Sequence, residues 1–287
     1  KGNSTGFTGS FVVAANSNIL KVSPTLSTNT SVLGTTSGST TINAGSAMQI
    51  EGGVALVAKP IVVFGTGINN DGVIRNLTGN NTISGTVSLS SDARMNADAG
   101  NLTFSAPTSL TLNSNLINFG VASGTTISVT GVISGTASNT ALTLTKEGTG
   151  TLFLSGVNTY SGITTINAGT INAQNNAALG ATTAPTLVTS GSALEIQNAL
   201  TGLAEPLFIN GTGVSGVAES GAIRSVSGVN VLTGLITLNS ASKITAYGTG
   251  ASDSLVIRTG GINTDGNSIT LHAFKGFHIS GYDPSAP

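Results

Sequence analysis

The sequence predicts an all-β solenoid, a fold in which short coils of chain stack along one axis. Composition is the first reason. Of the 287 residues, 39% are hydrophobic, only 7% are charged, and 39 are glycine. Disordered chains combine low hydrophobicity with high net charge, whereas this chain has a net charge of −1. It can therefore bury a core, and because aromatic residues make up only 4%, that core must be narrow.

An internal repeat is the second reason. Residues 45–67 align without a gap with residues 191–213, and nine of the 23 positions are identical. The similarity resumes in residues 72–89 and 221–238, after a loop that is three residues longer in the second copy. A large unit repeated in tandem favours a solenoid over a sandwich or a closed barrel.

Short strands are predicted along both copies. Apolar residues alternate in brief segments, as Leu152 and Leu154 do, and Gly, Asn and Ser clusters bound these segments about every ten to twelve residues. This pattern is typical of β-strands, and no segment has convincing helical periodicity. We therefore expect one continuous array over residues 1–287, with related units at about 1–140 and 141–287.

Charge argues against nucleic acid as a partner, and hydropathy argues against a membrane-spanning helix. With a pI near 6.1, the chain lacks the basic surface that neutralises phosphates, so nucleic acid is not expected as a partner. The longest apolar stretch, residues 54–64, is interrupted by Lys59 and Pro60. It falls short of the roughly 18 apolar residues of a membrane helix. We therefore expect no membrane-spanning segment.

One stretch of 32 residues, 142–173, carries an ordered motif. Glycines at strand ends suit sharp turns. Stacked Thr, Ser and Asn side chains can hydrogen-bond between coils, and we expect these hydrogen bonds to take the place of salt bridges. The motif residues are Thr145, Lys146, Gly148 and Gly150, then Asn158, Thr159, Tyr160 and Gly162, then Ala168, Gly169 and Thr170.

This stretch resembles the autotransporter-associated β-strand repeat of large bacterial surface proteins. The match is close over these 32 residues and loose over most of the remaining chain. The resemblance implies a right-handed parallel β-helix, export, and a place on the cell exterior. It implies no catalytic residue.

The repeat argues against an enzymatic role. Parallel β-helices also carry polysaccharide-degrading enzymes, which use clustered carboxylates. The acids are not kept between the copies, and neither copy offers two acids and a base at a convincing spacing, so we expect no catalytic residue. The aligned pairs are Glu51 with Gln197, Lys59 with Glu205, Asp71 with Ser220, Asp92 with Ala241, and Asp98 with Tyr247.

Arg75 and Arg224 are retained identically, and Arg94 pairs with Lys243. Two interpretations stay open for these basic residues. They contact a glycan or another partner, or their stems cover apolar neighbours along the coil surface. We favour the second interpretation.

Two segments resemble fragments of calcium loops, residues 69–72 and 263–266. Each offers one acid, whereas calcium takes six to eight oxygen ligands, so we expect turns. His272 and His278 have no Cys nearby and do not form a convincing zinc site. We expect no metal and no cofactor.

The expected function is structural: a component of an extracellular bacterial fibre or stalk-like surface protein. The alternative is an adhesin module that binds host or neighbouring-cell glycans, and a polysaccharide-degrading enzyme is the third. A long loop or an aromatic cluster would favour the adhesin, and only loop 212–220 is a candidate. Residues 7–9 resemble residues 160–162, so we expect an open N-terminal coil edge and end-to-end continuation of the array.

Overall fold

The computed structural model describes residues 6–24, 32–135, 142–248, 250–274 and 276–279. Within these ranges the chain forms 28 β-strands and one short 3-10 helix, Ile68–Asn70. In chain order the strands are β1 Phe11–Val13, β2 Ile19–Val22, β3 Thr40–Ile42, β4 Ala47–Glu51, β5 Ala55–Leu56, β6 Ile61–Gly65, β7 Ile74–Thr78, β8 Asn80–Ile83, β9 Val87–Ala97, β10 Asn101–Phe104, β11 Thr108–Thr111, β12 Ile117–Val121, β13 Thr126–Val129, β14 Val132–Ser134, β15 Leu142–Glu147, β16 Thr151–Leu154, β17 Ile163–Ile166, β18 Gly169–Ala173, β19 Thr186–Val188, β20 Ser192–Ile196, β21 Leu207–Gly211, β22 Ile223–Ser225, β23 Val229–Leu232, β24 Ile236–Ala246, β25 Ser254–Ile257, β26 Ile262–Asn263, β27 Ile269–Ala273 and β28 Gly276–Ile279.

The strands stack into three columns, and the pairings between neighbouring coils are parallel. Column one contains β2, β4, β7, β12, β15, β17, β19, β21 and β26. Column two contains β5, β8, β10, β13, β16, β18, β20, β22 and β27. Column three contains β1, β3, β6, β11 and β14 and, beyond several coils that have no strand on this face in the described ranges, the separate three-stranded sheet of β23, β25 and β28. About ten coils result. The predicted all-β parallel solenoid is confirmed, and its right-handed sense stays a prediction.

Two long strands relate the copies of the repeat. β9 and β24 have eleven residues each and nearly the same burial pattern, with a break in alternation where the chain bends between columns. β9 runs from column three into column one, whereas β24 runs from column one into column two. The second copy is therefore displaced by one face around the solenoid axis. The division into units at about 1–140 and 141–287 stays a prediction.

The core is a narrow stack of aliphatic side chains. In column two, seven consecutive coils place one fully buried Leu or Ile directly above another. Each such side chain contributes about 1.5–3 kcal/mol through burial, so stability accumulates from coil to coil. The seven residues are Leu102, Ile127, Leu152, Ile171, Leu194, Ile223 and Ile244.

Asparagine side chains fix the corners in both copies. The Oδ1 atom of Asn81 accepts a hydrogen bond from Val54 N at 2.6 Å, and the Oδ1 atom of Asn230 accepts one from Leu200 N at 2.9 Å. The expectation of polar hydrogen bonds between coils is thus confirmed. The expectation that these bonds replace salt bridges is wrong, because ion pairs between Lys or Arg and Asp or Glu also link the outer surfaces of the coils.

The first described coil contains β1 and β2, which pair with β3 and β4 of the next coil. Val12 and Ile19 on these strands are 59% and 52% exposed. Residues 1–5 and 25–31 lie outside the described residues, so the open N-terminal edge stays a prediction. No helix in the described part of the chain is long and apolar enough to cross a membrane.

Candidate functional site

Two outward-facing rows of side chains cross successive coils, one row in each copy of the repeat. The rows are equivalent after a shift of one coil, so that Gln49, Arg75, Asn96 and Gly120 of the first row correspond to Glu195, Arg224, Thr245 and His272 of the second. The first row lies in column one and consists of Gln49, Arg75, Asn96, Gly120 and Glu147. The second row lies in column two and consists of Asn172, Glu195, Arg224, Thr245 and His272.

The first row is a ladder of paired charges. Arg75 Nη1 lies 2.9 Å from Asp71 Oδ2, and Arg75 Nε lies 2.6 Å from Asp98 Oδ2. The guanidinium therefore has a carboxylate on each side. Asp71 belongs to the first of the two calcium-like segments, and its carboxylate neutralises an arginine within the chain.

Gly120 makes room for a second pairing in this row. A Cβ atom at Gly120 would overlap Asn96 Oδ1 and Arg94 Nη2, so the Asn96 amide and the Arg94 guanidinium together fill the space above the glycine. Arg94 thereby crosses one coil and reaches Glu147 on the next. Partial burial raises the pKa of Glu147, but hydrogen bonds from Arg94 and Asn118 and the charges of Arg94 and Lys146 together lower it.

The second row keeps its arginine but changes its partners. Arg224 Nη1 lies 2.7 Å from Glu195 Oε1. Tyr247 stands at the position of Asp98, and its ring centroid lies 4.1 Å from the guanidinium carbon of Arg224. A cation–π contact thus replaces an ion pair. Among the described residues, the buried Nε atom of Arg224 has no hydrogen-bond partner.

Two further rings adjoin Tyr247. His272 occupies the position of Gly120, and Phe274 occupies the position of Ala122, because Phe274 N and Ala122 N donate to equivalent carbonyls on the preceding coil. The ring centroid of Phe274 lies 5.6 Å from that of Tyr247 and 5.4 Å from that of His272, in edge-to-face arrangements. Phe274 is 55% exposed.

The longer loop of the second copy, residues 212–220, adds a carboxylate beside these rings. Glu219 Oε2 lies 2.8 Å from His272 Nδ1, a contact that is an ion pair only when the imidazole is protonated, and 3.6 Å from Lys243 Nζ. Glu219 has a φ of 52°, a left-handed conformation that is costly for a residue other than glycine. We call Arg224, Glu219, Lys243, Tyr247, His272 and Phe274 the aromatic patch.

Two lysines lie inside the solenoid rather than on its surface. Lys59 Nζ donates to the carbonyls of Gly9, Thr35 and Ser37 at 2.8–3.2 Å, and the side chain is 1% exposed. Sequence reasoning missed this burial, because a lysine before a proline gives no signal of its direction.

Lys146 explains the motif of residues 142–173. Its Nζ atom donates to the carbonyls of Glu147, Gly148 and Ala168 at 2.7–3.1 Å and so links the two ends of the motif. Burial lowers the pKa of Lys146 to about 7, although the charge of Glu147 opposes the shift. A Cβ atom at Gly148 would lie 2.3 Å from Val121 O, so this turn requires glycine.

Glu205 lies inside the second copy at the position that Lys59 occupies in the first. Its Oε1 atom accepts a hydrogen bond from Thr186 Oγ1 at 3.1 Å, and within the described residues its Oε2 atom has no partner. Burial raises the pKa of Glu205 to about 8, against the effect of the Thr186 hydrogen bond. The carboxyl group is therefore mostly protonated at neutral pH.

The other candidate residues remain apart. Residues 68–70 form the 3-10 helix, and Asp265 and Gly266 form a turn as expected. His272 lies on β27 in column two, whereas His278 lies on β28 in column three. In the described ranges, no three His, Cys, Asp or Glu side chains are grouped so that they could hold a metal ion.

Comparisons with known proteins assign a class to the chain. Residues 144–173 match the family model described as the passenger-associated-transport-repeat, which is almost the whole stretch that carries the motif. Comparisons with curated proteins and with solved structures gave no match. The chain is thus a parallel β-solenoid with a passenger-associated transport repeat. These two findings fit an autotransporter passenger built of β-helix repeats.

Proposed function

We propose that the chain is a non-catalytic structural segment of a bacterial surface passenger, which continues end to end in an extracellular fibre or stalk. The observation that carries the proposal is the stacking of about ten parallel coils on one aliphatic core. A solenoid of this kind gains stability with each added coil. Such a solenoid can therefore be lengthened by adding coils of the same kind.

Surface display is tested on intact cells that carry the parent gene. An antibody raised against the purified chain should label intact cells, and external protease should remove that label. Labelling that appears only after lysis would contradict the proposal. An antibody against a cytoplasmic protein is the control for cell integrity.

End-to-end continuation is tested on fibres isolated from such cells. Under denaturing conditions, stacked identical subunits should run near the 28.2 kDa of this sequence, whereas a covalently continuous fibre should run as a much larger polypeptide. A native, monodisperse monomer with both coil ends sealed would contradict both forms of continuation.

Non-catalysis is tested on the purified chain. Incubation with bacterial and host polysaccharides should release no new reducing ends. Release that disappears after one Asp or Glu substitution would overturn this part of the proposal.

An adhesive role is the second candidate, and a specific observation favours it. Loop 212–220, which is three residues longer than its counterpart, lies beside the exposed ring of Phe274 through Glu219 and His272. Binding residues concentrate on loops that a rigid scaffold positions.

A further inference from the structure

The two copies of the repeat provide an internal control for the purpose of each side chain. The first copy shows what the coils need for folding: strands, corner asparagines and a paired surface row. Side chains that the second copy adds at equivalent positions are not required by that fold. Three rings are added in this way, where Tyr247, His272 and Phe274 stand in place of Asp98, Gly120 and Ala122.

The added groups do not complete the charge ladder of the first copy. Arg224 has lost the positions of both acids that flank Arg75, since Ser220 and Tyr247 replace Asp71 and Asp98. Arg224 Nε and Asn172 Oδ1 are buried without a hydrogen-bond partner among the described residues, whereas Arg75 Nε is paired with Asp98. A buried Nε atom without a partner also occurs in the first copy, at Arg94, so the difference between the rows lies in how the arginine is paired.

The loop supports the same interpretation. Glu219 in this loop contacts His272 and Lys243. Its left-handed backbone is kept from the first copy, where the aligned residue Asn70 has a φ of 64°, so the carboxylate and not the backbone is new. Loop, rings and carboxylate thus meet at one place on the outer surface.

We propose that the aromatic patch binds neutral sugar residues of a glycan. The exposed face of Phe274 suits the apolar C–H face of a pyranose ring, as aromatic side chains provide apolar area in binding sites. Around it, Glu219 accepts hydrogen bonds from hydroxyl groups, and Lys243 and His272 donate them. The cations of Arg224 and Lys243 are matched by Glu195, which adjoins the patch, and by Glu219 within it, so the patch does not select an anionic ligand.

This inference rests on the adhesive alternative and not on the fibre proposal. All six residues of the patch lie in the second copy, so purified chain is sufficient to test it. Failure of surface display would leave the binding result unchanged, and failure of binding would leave the fibre proposal standing.

The test uses an array of immobilised oligosaccharides of neutral hexoses and N-acetylhexosamines, with sialylated and sulfated oligosaccharides beside them. Isothermal titration with the best free saccharide follows. The wild-type chain should bind neutral saccharides. Phe274→Ala, which removes an exposed ring, should weaken binding by about tenfold or more, the size typical of an aromatic anchor.

Tyr247→Asp restores the acid of the first copy and should weaken binding by a similar factor. Asp98→Ala, at the equivalent position of the first copy, should leave affinity within about twofold, because that row is outside the patch. Circular dichroism of each variant checks that the coils remain folded.

Three outcomes would overturn the inference. The first is no binding of wild-type chain to any neutral saccharide. The second is binding that survives both Phe274→Ala and Tyr247→Asp in folded protein. The third is binding only to sialylated or sulfated saccharides that is lost at high salt, which would indicate an electrostatic contact instead.

Discussion

The first row and the aromatic patch lie at equivalent places on two copies of one repeat, yet they present different chemistry. In the first row, Arg75 is held between two carboxylates and Arg94 reaches Glu147 over Gly120. In the second copy the arginine is stacked on Tyr247, beside His272 and Phe274. The inward-facing apolar residues keep their pattern, as β9 and β24 show. The outer surface of a coil can therefore change its chemistry while its core stays the same.

The largest expected effect concerns the buried position shared by Lys59 and Glu205. Lys59→Glu would place a carboxylate against three carbonyl oxygens that now accept hydrogen bonds from Lys59. We expect a loss of about 3–5 kcal/mol, the cost typical of an unpaired buried charge. Hydrogen exchange of amides in β3 and β6 measures this local stability.

Lys59→Met is the matched control, because it removes the donors without adding a charge. Its loss should be smaller than that of Lys59→Glu. If Lys59→Glu exchanged its β3 and β6 amides as slowly as the wild-type chain does, the described role of Lys59 would be wrong.

The next effect is a pH dependence confined to the second copy. The pKa of Glu205 is raised from 4.5 to about 8 in the folded chain, so the folded state binds more protons than the unfolded state between these values. The contribution of Glu205 to the free energy of unfolding should therefore be greatest below pH 4.5. It should fall by about 1.4 kcal/mol per pH unit up to about pH 8. Hydrogen exchange of β19 and β21, corrected for the intrinsic effect of pH, measures the decline.

Glu205→Gln should remove this decline, whereas Glu195→Gln, which changes an outer carboxylate, should leave it in place. An unchanged slope in Glu205→Gln would show that another group is responsible.

A smaller effect is expected at the glycine that opens the first row. Gly120→Ala would place a methyl group against the Asn96 amide and the Arg94 guanidinium, and so displace Arg94 from Glu147. Because Glu147 is 39% exposed, the lost pairing should cost only about 0.5–1 kcal/mol. Urea unfolding measures the cost. His272→Ala at the equivalent position breaks no arginine pairing and should change stability less.

The smallest stability effect is expected for Tyr247→Asp. It exchanges a cation–π contact for an ion pair at Arg224, two interactions of similar size at a partly buried site. The urea midpoint should shift by no more than about 0.5 kcal/mol in free energy. A large loss would show that Tyr247 supports the coil and is not an addition to it.

Much of the fold was predictable from sequence. The repeat and the alternating strands indicate stacked coils, and the motif of residues 142–173 coincides with the family match at residues 144–173. These signals are local, or they repeat at a fixed offset. The burial of Lys59, Lys146 and Glu205 was not predictable, because charged residues carry no signal of inward direction until the register of the coils is known.

Only part of the aromatic patch could be predicted from the sequence, for a related reason. The alignment pairs Asp98 with Tyr247, and the longer loop drew attention to residues 212–220. However, Phe274 follows the point at about residue 254 where similarity between the copies fades. Successive strands of column two begin between 18 and 31 residues apart, so sequence distance does not reveal which side chains are neighbours on adjacent coils.

The displacement of the second copy by one face has a consequence for avidity. The first row and the aromatic patch point in different directions around the same axis, since one lies in column one and the other in column two. If further copies continued this displacement, equivalent patches would follow a spiral. A planar, rigid array of receptors would then bind few patches at once. A flexible polymer that winds around the fibre would engage many, and only such a polymer would gain the high effective concentration that multivalent binding provides.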